Sequence, residues 1–166
     1  MTYQVNETVV LSGHGVGRVA ALVTKNFNSA ELQQYYEVVT ERSTVWVSVA
    51  QAEAHGLRPL TSRAELVRCR EVLRSQPQTL KSDFQLRRVE LNKRQKLPTL
   101  EAACELVRDL SARTWRAALN DADNNVLRHA QTGLAEEWAA ASGVSLAQAN
   151  SELAALLLEG RQAWQG

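Results

Sequence analysis

Glu7-Thr8-Val9-Val10-Leu11-Ser12-Gly13-His14-Gly15-Val16-Gly17-Arg18-Val19-Ala20-Ala21-Leu22-Val23 decides the first half of the fold. Two runs rich in β-branched residues flank the short turn Ser12-Gly13-His14-Gly15. So little chain between two extended runs predicts an antiparallel pair. Gly13, Gly15 and Gly17 permit the sharp bends that a small curled sheet needs. Working outward, Asn26-Phe27-Asn28-Ser29 reads as a turn, Tyr35-Tyr36-Glu37-Val38-Val39 as a strand and Glu41-Arg42-Ser43 as a turn. Thr44-Val45-Trp46-Val47-Ser48-Val49 reads as a further strand. Strands this short at this spacing predict a small antiparallel β-barrel over residues 1–56.

After residue 50 the apolar period changes from two to that of a helix. Ser62-Arg63-Ala64-Glu65 is a capping box, followed by the stripe Leu66, Val67, Cys69, Val72 and Leu73, which Ser75-Gln76-Pro77 ends. Ser82-Asp83-Phe84-Gln85 reads as a second box, opening a basic helix to Lys96 that Pro98-Thr99 breaks. Further helices are predicted from Leu100 to Leu119, from the break at Asn120-Asp121-Ala122-Asp123 to Ala141, and after the stop at Gly143 from the cap at Ser145. The fold class expected is α+β, with an all-helical domain over residues 57–166 and the boundary near Gly56.

The 166 residues carry a net charge of +1, but the charge is segregated. Residues 1–57 are net −2, residues 58–96 hold 11 basic and 4 acidic side chains, and residues 97–166 are net −4. Cys69 and Cys104 both sit in apolar helical patterns; two isolated cysteines cannot complete a zinc shell, so buried free thiols are expected. No run approaches the ~20 apolar residues of a membrane span. The polar start Met1-Thr2-Tyr3-Gln4 is unlike a signal peptide, so a cytoplasmic location is expected.

No catalytic constellation is legible. His14, His55 and His129 are far apart, without the spacing of a metal site. Gly13-His14-Gly15-Val16-Gly17 lacks the helix and the acidic ribose-binding position of a dinucleotide fingerprint. Glu136-Glu137 fits a solvated helix face, and Asp121 and Asp123 a helix start. The expectation is a non-enzymatic protein with no cofactor and no metal.

The basic helix carries the sharpest functional signal. Arg87, Glu90/Leu91 and Arg94 recur at i, i+3/4 and i+7, with Lys81 ahead of them and Arg88 beside that face. Such a stripe can meet phosphates along a DNA strand, and Phe84 in the first helical turn can enter a minor groove as a wedge. The same residues also fit a solvated face, with Phe84 packed on Val89 or on a neighbouring helix.

In its order of features the chain resembles the CarD/CdnL family of bacterial transcription factors. Val5-Asn6-Glu7-Thr8-Val9-Val10 with Gly13-His14-Gly15-Val16-Gly17-Arg18-Val19 is similar to the family's opening string. Gly56-Leu57-Arg58 resembles its "VGLR" signature, Val107-Arg108-Asp109-Leu110 its "VVRDL" stretch, and Leu134-Ala135-Glu136-Glu137 its late helix. The resemblance implies a Tudor-like, SH3-like barrel that binds the RNA polymerase β subunit. It also implies a helical domain that contacts promoter DNA at the upstream edge of the transcription bubble, where a tryptophan wedge prolongs the open complex. A monomer associated with the nucleoid through polymerase follows from the same likeness.

By that register the wedge falls on Phe84, which can stack but lacks an indole N–H. The arginine pair after it falls on Leu86 and Arg87, so one phosphate contact is either lost or moved to Arg88. The implied DNA-contacting set is Lys81, Phe84, Arg87, Arg88, Lys93 and Arg94. Polymerase-facing arginines fall on Lys25 and Trp46, with Phe27 at an apolar partner position. Alternation puts Trp46 opposite Val45 and Val47: outside as an interface anchor if the valines point inward, in the core otherwise. Two other readings compete, a divergent module that binds polymerase or another protein without DNA, and an RNA-binding barrel. The net −2 of the barrel segment disfavours the last.

Overall fold

The computed structural model describes residues 2–27 and 31–164, so Asn28 and Ser29 of the predicted turn lie outside the described residues. The chain forms two compact units, Met1–Leu60 and Thr61–Gly166. The boundary lies beyond the predicted Gly56 because Leu57–Pro59 is a strand of the first unit.

The first unit is a five-stranded antiparallel sheet of β1 (Thr8–Leu11), β2 (Gly15–Lys25), β3 (Gln33–Thr40), β4 (Thr44–Ser48) and β5 (Leu57–Pro59). Its order is β4-β3-β2-β1-β5. The sheet is open rather than a closed barrel: β4 and β5 are its edges, and no ladder joins them among the described residues. The β1–β2 turn uses left-handed glycines, Gly13 at φ 79° and Gly15 at φ 85°. Gly56, at φ 84°, delivers β5 to β1; a Cβ there would lie 2.5 Å from that of Ser12. Its carbonyl accepts from the Ser12 N–H at 3.0 Å.

One face of the sheet buries Val9, Leu11, Val19, Tyr36, Val38 and Val47 together with Tyr3, Ala52 and Leu57. The Tyr3 ring meets Tyr36 edge-on at 5.6 Å, and its hydroxyl donates to the Leu57 carbonyl at 3.3 Å. This contact ties the N-terminal segment to the last strand.

The second unit contains α1 (Arg63–Arg74), α2 (Phe84–Gln95), α3 (Leu100–Thr114), α4 (Asp121–Ser142) and α5 (Leu146–Ala163). Ser62/Glu65 and Ser145/Gln148 form the capping boxes at α1 and α5. At α2 the cap is Asp83 rather than Ser82: its side chain accepts from the Leu86 N–H, which leaves Gln85 one position short of a box. α3 stops at Thr114, before the predicted Leu119; Trp115 caps it and packs on Trp164 at 5.3 Å between ring centroids.

α3 is the most buried helix, contributing Leu100, Cys104, Leu106, Val107 and Leu110 to the core. Leu66 and Leu73 of α1, Leu134 and Trp138 of α4, and Leu153 and Leu156 of α5 surround it. Cys69 and Cys104 are free and buried there; the hydrogen bond from Cys69, then burial, push the Cys104 thiol up, so it stays protonated. The Trp138 indole N–H donates to Glu152 at 3.2 Å, and Arg70 Nε donates to the same carboxylate at 2.6 Å. Burial raises the Glu152 carboxyl, but the hydrogen bonds from Arg70 and Trp138 and the Arg70 charge outweigh it and hold the group below its usual range.

Candidate docking and nucleic-acid surfaces

Strand register builds the first surface. Tyr36, Val38 and Val47 face the core, so alternation turns Tyr35, Glu37 and Trp46 outward, with Glu37 directly opposite Trp46. Along β2 the ladder to β3 shifts between Val19 and Ala21. The extra residue, Ala20, reverses the parity of the strand's second half. Arg18 points outward before the bulge, and Ala21, Val23 and Lys25 do so after it. Without the bulge Lys25 would sit on the opposite face from Trp46.

Lys25, Phe27 and Trp46, the three residues expected to meet a protein partner, therefore come together. The Lys25 ammonium lies 4.7 Å from the Trp46 ring centroid and 5.6 Å from that of Phe27. Phe27 meets Tyr35 edge-on at 4.9 Å and Trp46 at 6.2 Å. Phe27 is 49 % and Trp46 39 % exposed, so Trp46 is no core residue. Cation–π contacts at such exposed sites are worth only about 0.5–1 kcal/mol each. The cluster adds little to folding and leaves large aromatic area to a partner. Beside it runs a groove of about 750 Å³, lined by Trp46 and Val47 of the edge strand β4, by Tyr35 of β3 and by His14 and His55.

The second surface was expected on α2, and the structure divides its residues. Arg87 is 4 % exposed. Its Nε donates to Asp123 at 2.8 Å and its Nη1 to the carbonyls of Lys81 and Ser82. Arg94 Nη2 donates to Asp109 at 2.8 Å; Asp109 also accepts from Arg108 Nε and from the Gln78 backbone N–H. The predicted phosphate stripe Arg87–Leu91–Arg94 is thus the inward face of the helix, and Leu91 is its sole buried apolar residue. These two arginines are corrected from DNA contacts to ion-paired anchors.

Lys81, Phe84, Arg88 and Lys93 are exposed. Phe84 is 40 % exposed, with the Arg87 guanidinium 5.9 Å from its ring centroid. At about 100° per residue, Arg88 lies close to the Phe84 side of the helix, whereas Lys93 falls about 180° away. The Asp83 carboxylate occupies the helix N-terminus through its bond to the Leu86 N–H. Phosphate binding at this end would fall to side chains rather than to the backbone.

The charge balance shifts in the same way. Arg68, Arg70, Arg74, Arg87 and Arg94 of the basic segment pair with Glu101, Glu152, Glu159, Asp123 and Asp109 of the acidic one. Much of the local excess thus holds helices together. Among the described residues no group of His, Cys, Asp and Glu is arranged to hold a metal ion, and no helix is long and apolar enough to cross a membrane. Comparison with known proteins adds no assignment, since no family model matches the chain and no curated protein matches it.

Proposed function

We propose that the chain is a transcription adaptor without catalytic activity: the sheet unit, as an open Tudor-like domain, docks the RNA polymerase β subunit, and α2 touches promoter DNA. The observation that carries this reading is the convergence of Lys25, Phe27 and Trp46 into one exposed aromatic–cationic cluster beside an edge strand. Edge strands and exposed aromatics are common docking elements, and the family resemblance names the partner.

On the helical unit the contact is narrowed to Phe84 and Arg88 on one flank, with Lys81 as a flanking charge; Lys93, on the far side of the helix, drops out of it. Phe84 supplies a ring able to unstack a base step, held from behind by the buried Arg87. The test is to titrate purified polymerase with Phe27→Ala/Trp46→Ala and to time open-complex decay with Phe84→Ala. The double variant should bind at least roughly tenfold more weakly, given the ~2 kcal/mol of an aromatic anchor. Phe84→Ala should shorten the open-complex lifetime at unchanged polymerase affinity. Undiminished binding of the double variant removes the polymerase reading.

The loss of Arg87 and Arg94 to ion pairs favours a second reading, a docking module that binds polymerase or another protein without DNA. An unaltered lifetime with Phe84→Ala selects it.

A further inference from the structure

A cationic surface outside α2 is left unexplained by this reading. Trp115, at the end of α3, and Trp164, at the end of α5, pack ring on ring at 5.3 Å. Each also has an arginine over its face: Arg116 lies 5.1 Å from the Trp164 centroid and Arg161 5.6 Å from the Trp115 centroid. Arg113 lines the crevice between this pair and the segment ahead of α2, together with Arg116, Trp164, Thr79 and Leu80.

None of the three arginines has a carboxylate partner among the described residues, in contrast to Arg87, Arg94 and Arg108. Asp109 is the one acid at the crevice; its side chain is 0 % exposed and already bonded to two arginines. The crevice holds about 40 Å³, far below the ~300 Å³ of a small-molecule site. What remains is a shallow, positively charged surface. Arg116 and Arg161 lie over indole faces, an arrangement that leaves guanidinium N–H edges able to fork onto an anion.

We infer that Arg116 and Arg161, over the Trp115–Trp164 stack, together with Arg113 in the crevice wall, form a second contact for the phosphate backbone of duplex DNA, continuous with the α2 contact. Continuity comes from the chain itself. Leu80, in the crevice wall, is followed by the exposed Lys81 and then by Phe84 at the start of α2. A backbone engaged by Lys81 and Arg88 would need only to extend past Leu80 to reach Arg116. The inference rests on the DNA half of the proposed function, and it explains how a helix with two of its arginines buried could still hold DNA.

The test is the salt dependence of duplex binding by the full chain. Each phosphate contact contributes about 0.9 to the slope of log K against log salt. Arg116→Ala/Arg161→Ala should lower the slope by roughly 1.8, two contacts at that value, with an unchanged thermal midpoint. Arg116→Lys/Arg161→Lys should keep it. If the alanine pair leaves the slope intact while Arg88→Ala lowers it, this surface is wrong and the α2 contact stands. If the alanine pair lowers the slope and Arg88→Ala does not, this surface stands and the α2 contact falls. Salt-independent or absent binding by the unmodified chain sinks both. A lysine pair that loses as much slope as the alanine pair, with a lowered midpoint, makes the arginines structural and overturns the inference. So does loss of binding to polyglutamate by the alanine pair with duplex binding unchanged, which would place an acidic protein segment there.

Discussion

The two surfaces use the same residue types to opposite ends. On the sheet, Lys25 stays at the surface over two exposed rings. On α2, Arg87 and Arg94 turn inward and are held by Asp123 and Asp109. The difference lies in what each element has to bury. The sheet fills its inner face with Val9, Leu11, Val19, Tyr36, Val38 and Val47 and has no need of its outer residues. α2 offers the core one apolar side chain, Leu91, so ion pairs must fix its position. A basic residue is thus left at the surface where apolar burial already anchors the element, and is drawn inward where it does not.

The sharpest way to break this contrast is to remove one cation from each class. Taking one partner from a buried ion pair costs about 3–5 kcal/mol, because the other charge is left without compensation. Arg87→Ala should therefore lower the urea unfolding free energy of the helical signal by that amount. Lys25→Ala, at the surface, should change stability by no more than about 0.5 kcal/mol. Comparable losses from both would erase the distinction.

The sheet has its own lock, of smaller size. Gly56→Ala forces a side chain into the left-handed region and onto Ser12, which should cost about 1–3 kcal/mol by weakening the delivery of β5 to β1. Hydrogen exchange should show the loss confined to Val9, Val10 and Leu11 and their partners.

The smallest effect tests whether a half-buried ion pair in the helices behaves as the buried ones do. The Glu152 carboxyl is depressed in the folded state, so its stabilisation is full above the unfolded carboxyl range and fades as pH falls through the lower folded value. Glu152→Gln should flatten the acid limb of the melting temperature against pH and lower the plateau near neutrality. An unchanged acid limb would assign that limb to other carboxylates.

Local signals explain what was legible in the sequence. The capping boxes at Ser62 and Ser145 depend on residues three apart, and they form as read. β5 depends on a partner strand far away and ends in a proline, so nothing within Leu57-Arg58-Pro59 marks it. The gathering of Lys25 with Trp46 depends on a one-residue bulge at Ala20 that composition does not announce. Arg87 and Arg94 were misplaced because i, i+4, i+7 spacing marks an inward stripe as well as a phosphate stripe. Their partners sit 36 and 15 residues further along the chain. Leu91 between them was the available clue, though the exposed Leu86 and Val89 on the outer side blur it.

Asp109 ties together α2 through Arg94, its own helix through Arg108, and the segment ahead of α2 through the Gln78 N–H. With Asp123 of α4 holding Arg87, the seating of α2 is written into α3, α4 and the inner face of α2. Exchanging the exposed Arg88 or Lys93 would therefore change the charge that the helix shows to solvent and leave the scaffold beneath it fixed.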